Sequence, residues 1–570
     1  MASALALFLA GTGPASAQAT PSPPATACDR LKQMADGDLH VLEAREVAAG
    51  PAAAFYGEDQ GRKMPAHCLI RASFGDRRGV DGRTYAIRFE LRMPAAWNGR
   101  FLFEGGGNMD GVDWPAYGSL FSRLSPTALE RGFAVVRTNG GHISPGNEST
   151  DGSWAIDQQA RIDYGYVALD KVAIAAKRIV AAHYGKPAAK SYFIGCSNGG
   201  RQAMLVTQRF PDYFDGVVAG NAAFNLTRIA PRLSWTTAQL SRISRPGVGA
   251  FTKVDLKLVA DGAVKRCDAL DGLADGLIQD IAACKFDPAV LQCKGPKTAT
   301  CLSRAQVDTL KRIVTGPVDA QGKPYYKPLP YDSTPAFWAG DAAADTRAPS
   351  LFMDTMRYFA LTPPNPGLDA LDIRFPDVFA SLVSTAGVID AEGSFLNSFA
   401  SRSKLIIYHG TSDYSLSAFE ITSWYDRLAH DTGGKTQDWA RLFLVPGMMH
   451  CEGGRATDDF DPLTAIQGKR CSQPTLIQGM SVYTRLAGWP LASADRAWVS
   501  QSWGLMPPSL QFSMSVAMTA QLSPPSSEPA KRAFFRFKAR GRIERSTALV
   551  SSSMRPSSMK RTRPSQRMVA

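Results

Sequence analysis

The chain has 570 residues, 45% of them hydrophobic and 20% charged, proportions that suit a globular protein with a sizeable core and exclude a fibrous or wholly disordered one. Its formal net charge is +13, but Lys469 onward holds 16 Lys/Arg against three acids (Asp495, Glu528, Glu544), so residues 1–468 are close to neutral. The body carries no electrostatic signature of a nucleic-acid partner, and no run reaches the ~18 apolar residues of a membrane span.

Residues 1–17 read as a secretory signal. Ala4 to Ala10 are apolar and Ala15-Ser16-Ala17 is an A-x-A-like site, which predicts cleavage before Gln18 and a secreted or periplasmic protein. No Lys or Arg precedes the apolar run. Nine cysteines in an exported chain predict disulfides with one residue left over. None has C-x-x-C spacing, so zinc and thioredoxin-like chemistry have no support.

After an Ala/Pro/Ser/Thr linker, the segment to about Pro94 reads as β-rich. Tyr85, Ile87, Phe89 and Leu91 alternate with Ala86, Arg88, Glu90 and Arg92, predicting a half-buried strand. Arg100–Glu104 is a short strand running into Gly105-Gly106-Gly107-Asn108, which is either a simple turn or the loop that supplies an amide to an oxyanion. Phe133–Val136 predicts another strand. Asp163–Ala182, with Leu169, Val172, Ala176, Ile179 and Val180 at helical spacing, predicts a crossover helix.

Gly195-Cys196-Ser197-Asn198-Gly199 then fits G-x-S-x-G, between the strand-like Tyr192–Ile194 and the helix-like Arg201–Arg209. A serine on a tight strand-to-helix turn is the nucleophile elbow of an α/β-hydrolase, and strand–helix alternation predicts a mostly parallel sheet. Past Gly220 the alternation stops, and residues 221–386 read as an inserted lid. Within it Asp268, Asp271 and Asp275 stand between glycine turns, offering hard oxygen ligands for calcium or simply a solvated Asp/Gly loop. The sheet resumes at Lys404–Gly410, followed by Asp413, and ends at Leu442–Val445, followed by His450-Cys451. Ser197, Asp413 and His450 thus come in α/β-hydrolase order.

In that reading His450 takes the Ser197 proton and later protonates the leaving alcohol, while Asp413 holds the imidazole tautomer. The oxyanion would accept N–H bonds from Asn198 and from the Gly105–Gly107 turn, Gly106 and Gly107 being the candidate donors. Cys196 precedes the nucleophile and Cys451 follows the base, so a disulfide between them would tie the two catalytic loops together.

With these residues the chain resembles the tannase and feruloyl esterase family of serine esterases, over roughly residues 28 to 467. The most specific stretches are Gly195–Gln202, Arg209–Gly216, His409–Asp413 and Pro446–Cys451. The resemblance implies a catalytic domain formed by residues 28–220 and 387–467, a lid over 221–386, and hydrolysis of small aromatic esters. The acyl groups it implies are galloyl, feruloyl or other hydroxycinnamoyl, and terephthaloyl in mono(2-hydroxyethyl) terephthalate. It implies a structural Ca2+ held by Asp268, Asp271, Asp275 and the carbonyls of Leu273 and Leu277. It also implies the pairs Cys28–Cys68, Cys267–Cys284 and Cys293–Cys301. The terephthalate branch is the weaker match, because Leu416 stands three residues after Asp413, where that enzyme carries an aromatic ring. A catalytically inactive scaffold on the same fold is the other alternative. Trp235, Trp338, Phe352 and Phe359 in the lid are read as core before ring pocket.

The C-terminus departs from the family. Asp461–Ile466 begins a helix that Gly468-Lys469-Arg470 interrupts, and Cys471 has no later partner. Residues 468–570 are basic and Ser/Pro-rich without sustained period, which predicts a disordered, frame-changed tail in preference to a basic segment for anionic surfaces.

Overall fold

The computed structural model describes residues 27–34, 37–52, 61–119, 125–244, 249–333, 338, 353–468 and 483–484. The expected signal (1–17), Phe352, Cys471 and the tail beyond Gly468, apart from Tyr483–Thr484, lie outside the described residues.

The centre is one ten-stranded sheet. In chain order its strands are β1 (Leu39–Val47), β2 (His67–Arg78), β3 (Thr84–Pro94), β4 (Arg100–Glu104), β5 (Ala134–Thr138), β6 (Lys190–Cys196), β7 (Gly216–Gly220), β8 (Lys404–Gly410), β9 (Ala440–Val445) and β10 (Tyr483–Thr484). They lie in the order β1-β2-β3-β5-β4-β6-β7-β8-β9-β10. The run from β5 to β9 is parallel. An antiparallel meander, β1 to β3, extends one edge, and β10 pairs antiparallel with β9 at the other. This is the mixed, mostly parallel sheet that the sequence predicts.

The parallel strands are apolar on both faces because both are covered, one by long helices and the other by turns and a short helix. Phe101, Phe103, Phe193, Val217, Ala219, Leu405 and Ile407 point to one side. There they meet α1 (Ala168–Tyr184), α2 (Asn198–Arg209) and α6 (Ala418–Asp431) through Val172, Ile179, Met204, Ile421 and Trp424. Leu102, Tyr192, Ile194, Val218, Ile406 and Tyr408 face the other way, against Leu129 and against Leu463 and Ile466 of α7 (Pro462–Gln467). Removing one such ring, as in Phe193→Ala, would cost about 3–5 kcal/mol in lost transfer energy and cavity.

Two expectations are corrected. β3 is buried on both faces, not half-buried, because the segment around Ala116–Tyr117 covers its polar side. Glu90 there accepts from Arg92 Nε at 2.6 Å and from the Ala116 amide at 3.0 Å, and the Arg92 guanidinium lies over the Tyr117 ring. The helix predicted from Asp163 starts earlier, at Gln158, and passes through a π-turn, Asp163–Val167, before α1 proper.

The insertion between β7 and β8 is largely helical. Its α3 (Leu226–Ser241), α4 (Lys253–Cys267) and α5 (Arg304–Thr315) each bury an apolar face. α4 and α5 open with Thr252 and Ser303 capping boxes that satisfy their first amides. Phe251, Leu256, Val259, Val307, Leu310 and Ile313 form a core separate from that of the sheet. The boundary expected at residue 386 falls inside a short helix, Val383–Ile389. Among the described residues, no helix is long and apolar enough to cross a membrane.

Candidate active site

Ser197, Asp413 and His450 follow the carboxyl ends of β6, β8 and β9, the edge where open parallel sheets place their ligands. Ser197 sits at φ 61°, ψ −120°, an uncommon conformation for a residue with a side chain. Its neighbours make the turn possible. A Cβ on Gly195 would lie 2.5 Å from the Gly199 carbonyl carbon, and one on Gly199 would lie 2.6 Å from the Gly106 oxygen. Only glycine fits either position. The Ser197 amide donates to the Gly220 carbonyl at 3.0 Å, and its carbonyl accepts from Arg201 and Ala223. The strained residue is therefore fixed from three sides.

The three side chains form a continuous relay. His450 Nε2 is 2.9 Å from Ser197 Oγ, and His450 Nδ1 is 2.8 Å from Asp413 Oδ2. Asp413 is buried and the other bonds of its carboxylate are all acceptances. Oδ1 takes the amides of Ser415 (2.8 Å) and Leu416 (3.0 Å), and Oδ2 takes Asn221 Nδ2 at 2.7 Å. Burial works against its charge, but the imidazole of His450, then His409 and Asn221, hold its pKa down at about 2. His450 is shifted the opposite way: burial disfavours its cation, and the charge and hydrogen bond of Asp413 outweigh that, raising its pKa. A carboxylate kept ionised beside an imidazole that it makes more basic is the arrangement that activates a serine hydroxyl.

Asn198 opens α2, so its amide has no intrahelical acceptor, and it has none elsewhere among the described residues. Its N–H stands unengaged in the residue after the nucleophile. The assignment of Gly106 and Gly107 is corrected for this resting arrangement. The Gly106 amide donates to Gln202 Oε1 at 2.9 Å, that of Gly107 to Asp110 Oδ1 at 2.9 Å, and that of Gly105 to the Ile194 carbonyl. The turn does lie against the elbow, but a contribution from either glycine requires its N–H to be shared between two acceptors. Gln202, Asp110 and Asn221 are the functional neighbours that sequence reasoning passed over. Gln202 is one helical turn beyond Asn198, and Asn221 directly follows a parallel strand; those positions were the available signals.

The four expected disulfides are present: Cys28–Cys68, Cys196–Cys451, Cys267–Cys284 and Cys293–Cys301. The second joins the residue before the nucleophile to the residue after the base. Phe359 and Trp338 are core, as expected. Phe359 packs on Trp154 and Tyr164, Trp338 lies in the lid core, and Trp235 packs edge-on to Phe375. Leu416 is buried with Ala223, Ile229, Leu233 and Tyr326. Tyr414 lies beside the relay, its ring centroid 6.2 Å from that of His450.

The Asp268–Leu277 loop folds on its own carboxylates. Asp268 Oδ1 accepts from Asp275 and Gly276, Asp271 from Leu273 and Gln279, and Asp275 from Leu277 and the Gln279 side chain. Burial, then the charges of Asp275 and Asp268, push the Asp271 pKa up. Among the described residues, no group of three or more His, Cys, Asp or Glu side chains is gathered as a metal cage. The donor set is nevertheless all hard oxygen, which fits calcium rather than a softer metal.

Residues 72–468 match the family described as tannase and feruloyl esterase. The chain is 37% identical over 503 residues to mono(2-hydroxyethyl) terephthalate hydrolase of Piscinibacter sakaiensis, covering 77% of this chain and 82% of that one. Among solved structures it resembles feruloyl esterase B from Aspergillus oryzae (TM-score 0.64, 24% identity, 79% of this chain and 87% of that one). It also resembles the tannin acyl hydrolase from Aspergillus niger (TM-score 0.59, 19% identity, 77% and 85%). These two likenesses speak to the fold. Both structures share this chain's mixed α/β architecture around a large central sheet.

Proposed function

Since the chain belongs to the tannase and feruloyl esterase family and is a carboxylic ester hydrolase, we propose that it is an exported serine esterase that cleaves small aromatic esters through an acyl-enzyme on Ser197. The observation that carries this is the unbroken relay from Ser197 Oγ through His450 to Asp413.

His450 Nε2 accepts the Ser197 proton as Oγ attacks the ester carbonyl. Asp413, ionised and buried, keeps Nδ1 protonated and stabilises the imidazolium that results. The negative charge that develops on the carbonyl oxygen meets the Asn198 amide at the start of α2, where an N–H donor is worth ~2.7–4 kcal/mol in the transition state. His450 then returns its proton to the alkoxide leaving group. The alcohol departs, water enters, and the same base drives deacylation. The strained elbow holds Oγ at the attacking position before substrate arrives, so little reorganisation remains for the chemical step.

Galloyl and feruloyl esters are the leading substrate class, on family membership. Mono(2-hydroxyethyl) terephthalate is the second reading, favoured by the 37% identity to the Piscinibacter enzyme and opposed by the aliphatic Leu416, which offers no ring face for stacking. Two further features belong to this proposal. Four disulfides and the signal-like N-terminus support an oxidising, extracytoplasmic location. Asp268, Asp271, Asp275 and the carbonyls of Leu273 and Leu277 would hold a structural calcium in the lid.

The test is initial-rate hydrolysis of methyl gallate, methyl ferulate and mono(2-hydroxyethyl) terephthalate by the full chain, with Ser197→Ala alongside. Turnover of one ester, lost in the alanine variant, is the expected result and names the branch. Absence of turnover together with failure of a fluorophosphonate to label Ser197 would sink the proposal in favour of an inactive scaffold.

A further inference from the structure

Asp110 lies outside the proton relay, yet its carboxylate is fully buried at the junction between the glycine turn and the nucleophile helix. Oδ1 accepts the Gly107 amide at 2.9 Å and Asn198 Nδ2 at 2.8 Å. Oδ2 accepts Gln202 Nε2 at 2.9 Å, and the other end of that amide, Oε1, accepts the Gly106 N–H at 2.9 Å. A closed ring results: Gly106 and Gly107 on one side, Asn198 and Gln202 of α2 on the other, with Asp110 bridging them.

The surroundings are shaped to hold a carboxylate there. A Cβ on Gly106 would lie 2.4 Å from Asp110 Oδ1, and one on Gly140 would lie 2.7 Å from Oδ2. Neither position admits a side chain without evicting the acid. Asp110 itself has φ 51°, a conformation that costs energy for a residue with a Cβ. The far side of Asn198 is anchored as well. Its Oδ1 accepts Arg201 Nε at 2.9 Å, and the buried Arg201 guanidinium also donates to the carbonyls of Tyr164, Gly165 and Ile389. Burial pushes the Asp110 pKa up to about 6, against Arg137, Gln202, Arg201 and Asn198, all of which pull it down. Keeping a carboxylate in that setting without a directly bonded cation is expensive for stability alone.

We propose that Asp110, acting with Gln202, is a positioning residue for the oxyanion hole: it locks the Gly105–Gly107 turn against the first turn of α2, so that the unengaged Asn198 amide is held in one fixed geometry. This rests on the esterase reading above. It adds a determinant of transition-state binding that touches neither the nucleophile nor the base. Because the role concerns an oxyanion that forms only after attack, its loss should appear in kcat and not in KM.

A charge-relocating swap tests it. In Asp110→Asn the new Nδ2 faces the Gln202 amide, and flipping that amide sets donor against donor at Gly106. In the double variant Asp110→Asn/Gln202→Glu, the introduced amide at position 110 would donate to one oxygen of the carboxylate introduced at position 202. The other oxygen of that carboxylate would accept the Gly106 N–H. The buried charge and every link are then restored. Rates on the most active ester of the panel, the Ki of phenylboronic acid as a tetrahedral-intermediate mimic, and Tm would be measured for wild type, both variants and Ser197→Ala. The expected result for Asp110→Asn is a fall in kcat of about 10- to 100-fold, less than removal of a donor outright, with KM within about twofold and the boronate Ki rising in step. The double variant should recover kcat to within about threefold, as coupled neighbours do. Gln202→Met breaks the same link from the helix side and serves if Asp110→Asn does not fold. An unchanged kcat in a folded single variant overturns the proposal, as does a double variant that recovers Tm but not kcat. Wild type that hydrolyses no ester would instead remove the premise, a failure the Ser197→Ala comparison separates from this one.

Discussion

Cys196 is bonded to Cys451 with their Cα atoms 6.0 Å apart, and the residues beside them in the chain, Ser197 and His450, share a 2.9 Å hydrogen bond. The covalent link and the catalytic contact are thus parallel connections between the same two loops, whose cysteines are 255 residues apart in sequence. The His450 loop follows the last parallel strand and carries Cys451 at φ 66°, a conformation that costs energy for a residue with a side chain. The disulfide therefore fixes the base relative to the nucleophile as well as closing a long loop.

Replacing both cysteines, Cys196→Ala with Cys451→Ala, should accordingly harm function in two separable ways. Stability should fall by roughly 2–5 kcal/mol, the range for a native disulfide. kcat should also fall by about tenfold or more even at temperatures where the variant is folded, because a misplacement near 1 Å is that costly. A circular-dichroism melt paired with ester kinetics at about 10 °C, where unfolding is slow, checks it; full kcat in the folded double variant would show that the bond serves stability alone.

The pH profile follows from the two shifts in the relay. His450 must be neutral to accept the Ser197 proton, and its pKa is raised above 6.5. kcat/KM should then fall as pH drops through a value above that of an ordinary histidine, and plateau toward alkaline pH. Asp413→Asn removes the charge that raises it, and should lower the plateau by about 10³- to 10⁴-fold, since the wrong tautomer is then favoured. The linked stability terms have opposite signs. The raised His450 stabilises the fold below pH 6.5 and loses that contribution as pH climbs through its folded pKa. The depressed Asp413 stabilises above pH 3.8 and loses its contribution as pH falls toward 2. Rate measurements from about pH 5 to 9 read the first; an acid limb at or below 6.5 in wild type would contradict it.

How much of this was legible in the sequence depends on how local the signal is. The β6–Ser197–α2 elbow shows because its strand, glycines and helix are contiguous, and the acid and base show because each directly follows an apolar strand. The helices of the insertion were hidden because they are separated by irregular Pro- and Asp-rich segments, and their apolar residues face a core of their own. Burial of Glu90 and Arg92 was missed because alternation reports one covered face and cannot see a loop folding over the other. Asp110, Gln202 and Asn221 were missed for a related reason: each acts across 88 to 192 residues of sequence, where no spacing rule applies. Gly106 and Gly107, read as oxyanion donors from a glycine run, already have Gln202 and Asp110 as acceptors.

Asn221 should prove a support of the acid. Its Nδ2 donates to Asp413 Oδ2 at 2.7 Å, on the oxygen that also faces His450, and its main chain at φ 32° is held by the Tyr408 carbonyl. Asn221→Ala removes one donor from a buried charge, a loss of ~1.5–3 kcal/mol for a hydrogen bond to a charged group. kcat should fall about tenfold or more, and Asn221→Asp should be worse, because a second carboxylate beside Asp413 repels it. Kinetics of the two variants decide the matter; equal activity of Asn221→Asp and wild type would rule the support out.

Calcium should act on the lid and not on the chemistry. The candidate ligands Asp268, Asp271 and Asp275 lie in the loop that follows α4, within the Cys267–Cys284 disulfide, whereas the proton relay draws on loops after β6, β8 and β9. With one specific site, ligand at about 100 times its Kd adds about 2.7 kcal/mol to stability. Exchanging the protein into chelator should therefore lower Tm by several degrees, and added calcium should restore it while magnesium, which prefers to keep its water, restores less. Asp271→Asn should abolish that response with kcat at saturating ester retained below the melting range. Carboxylates that hold only their own loop, as in the hydrogen bonds Asp271 makes to Leu273 and Gln279, would give the opposite pattern: a Tm indifferent to chelator, and an Asp271→Asn variant that loses the same stability with or without the ion.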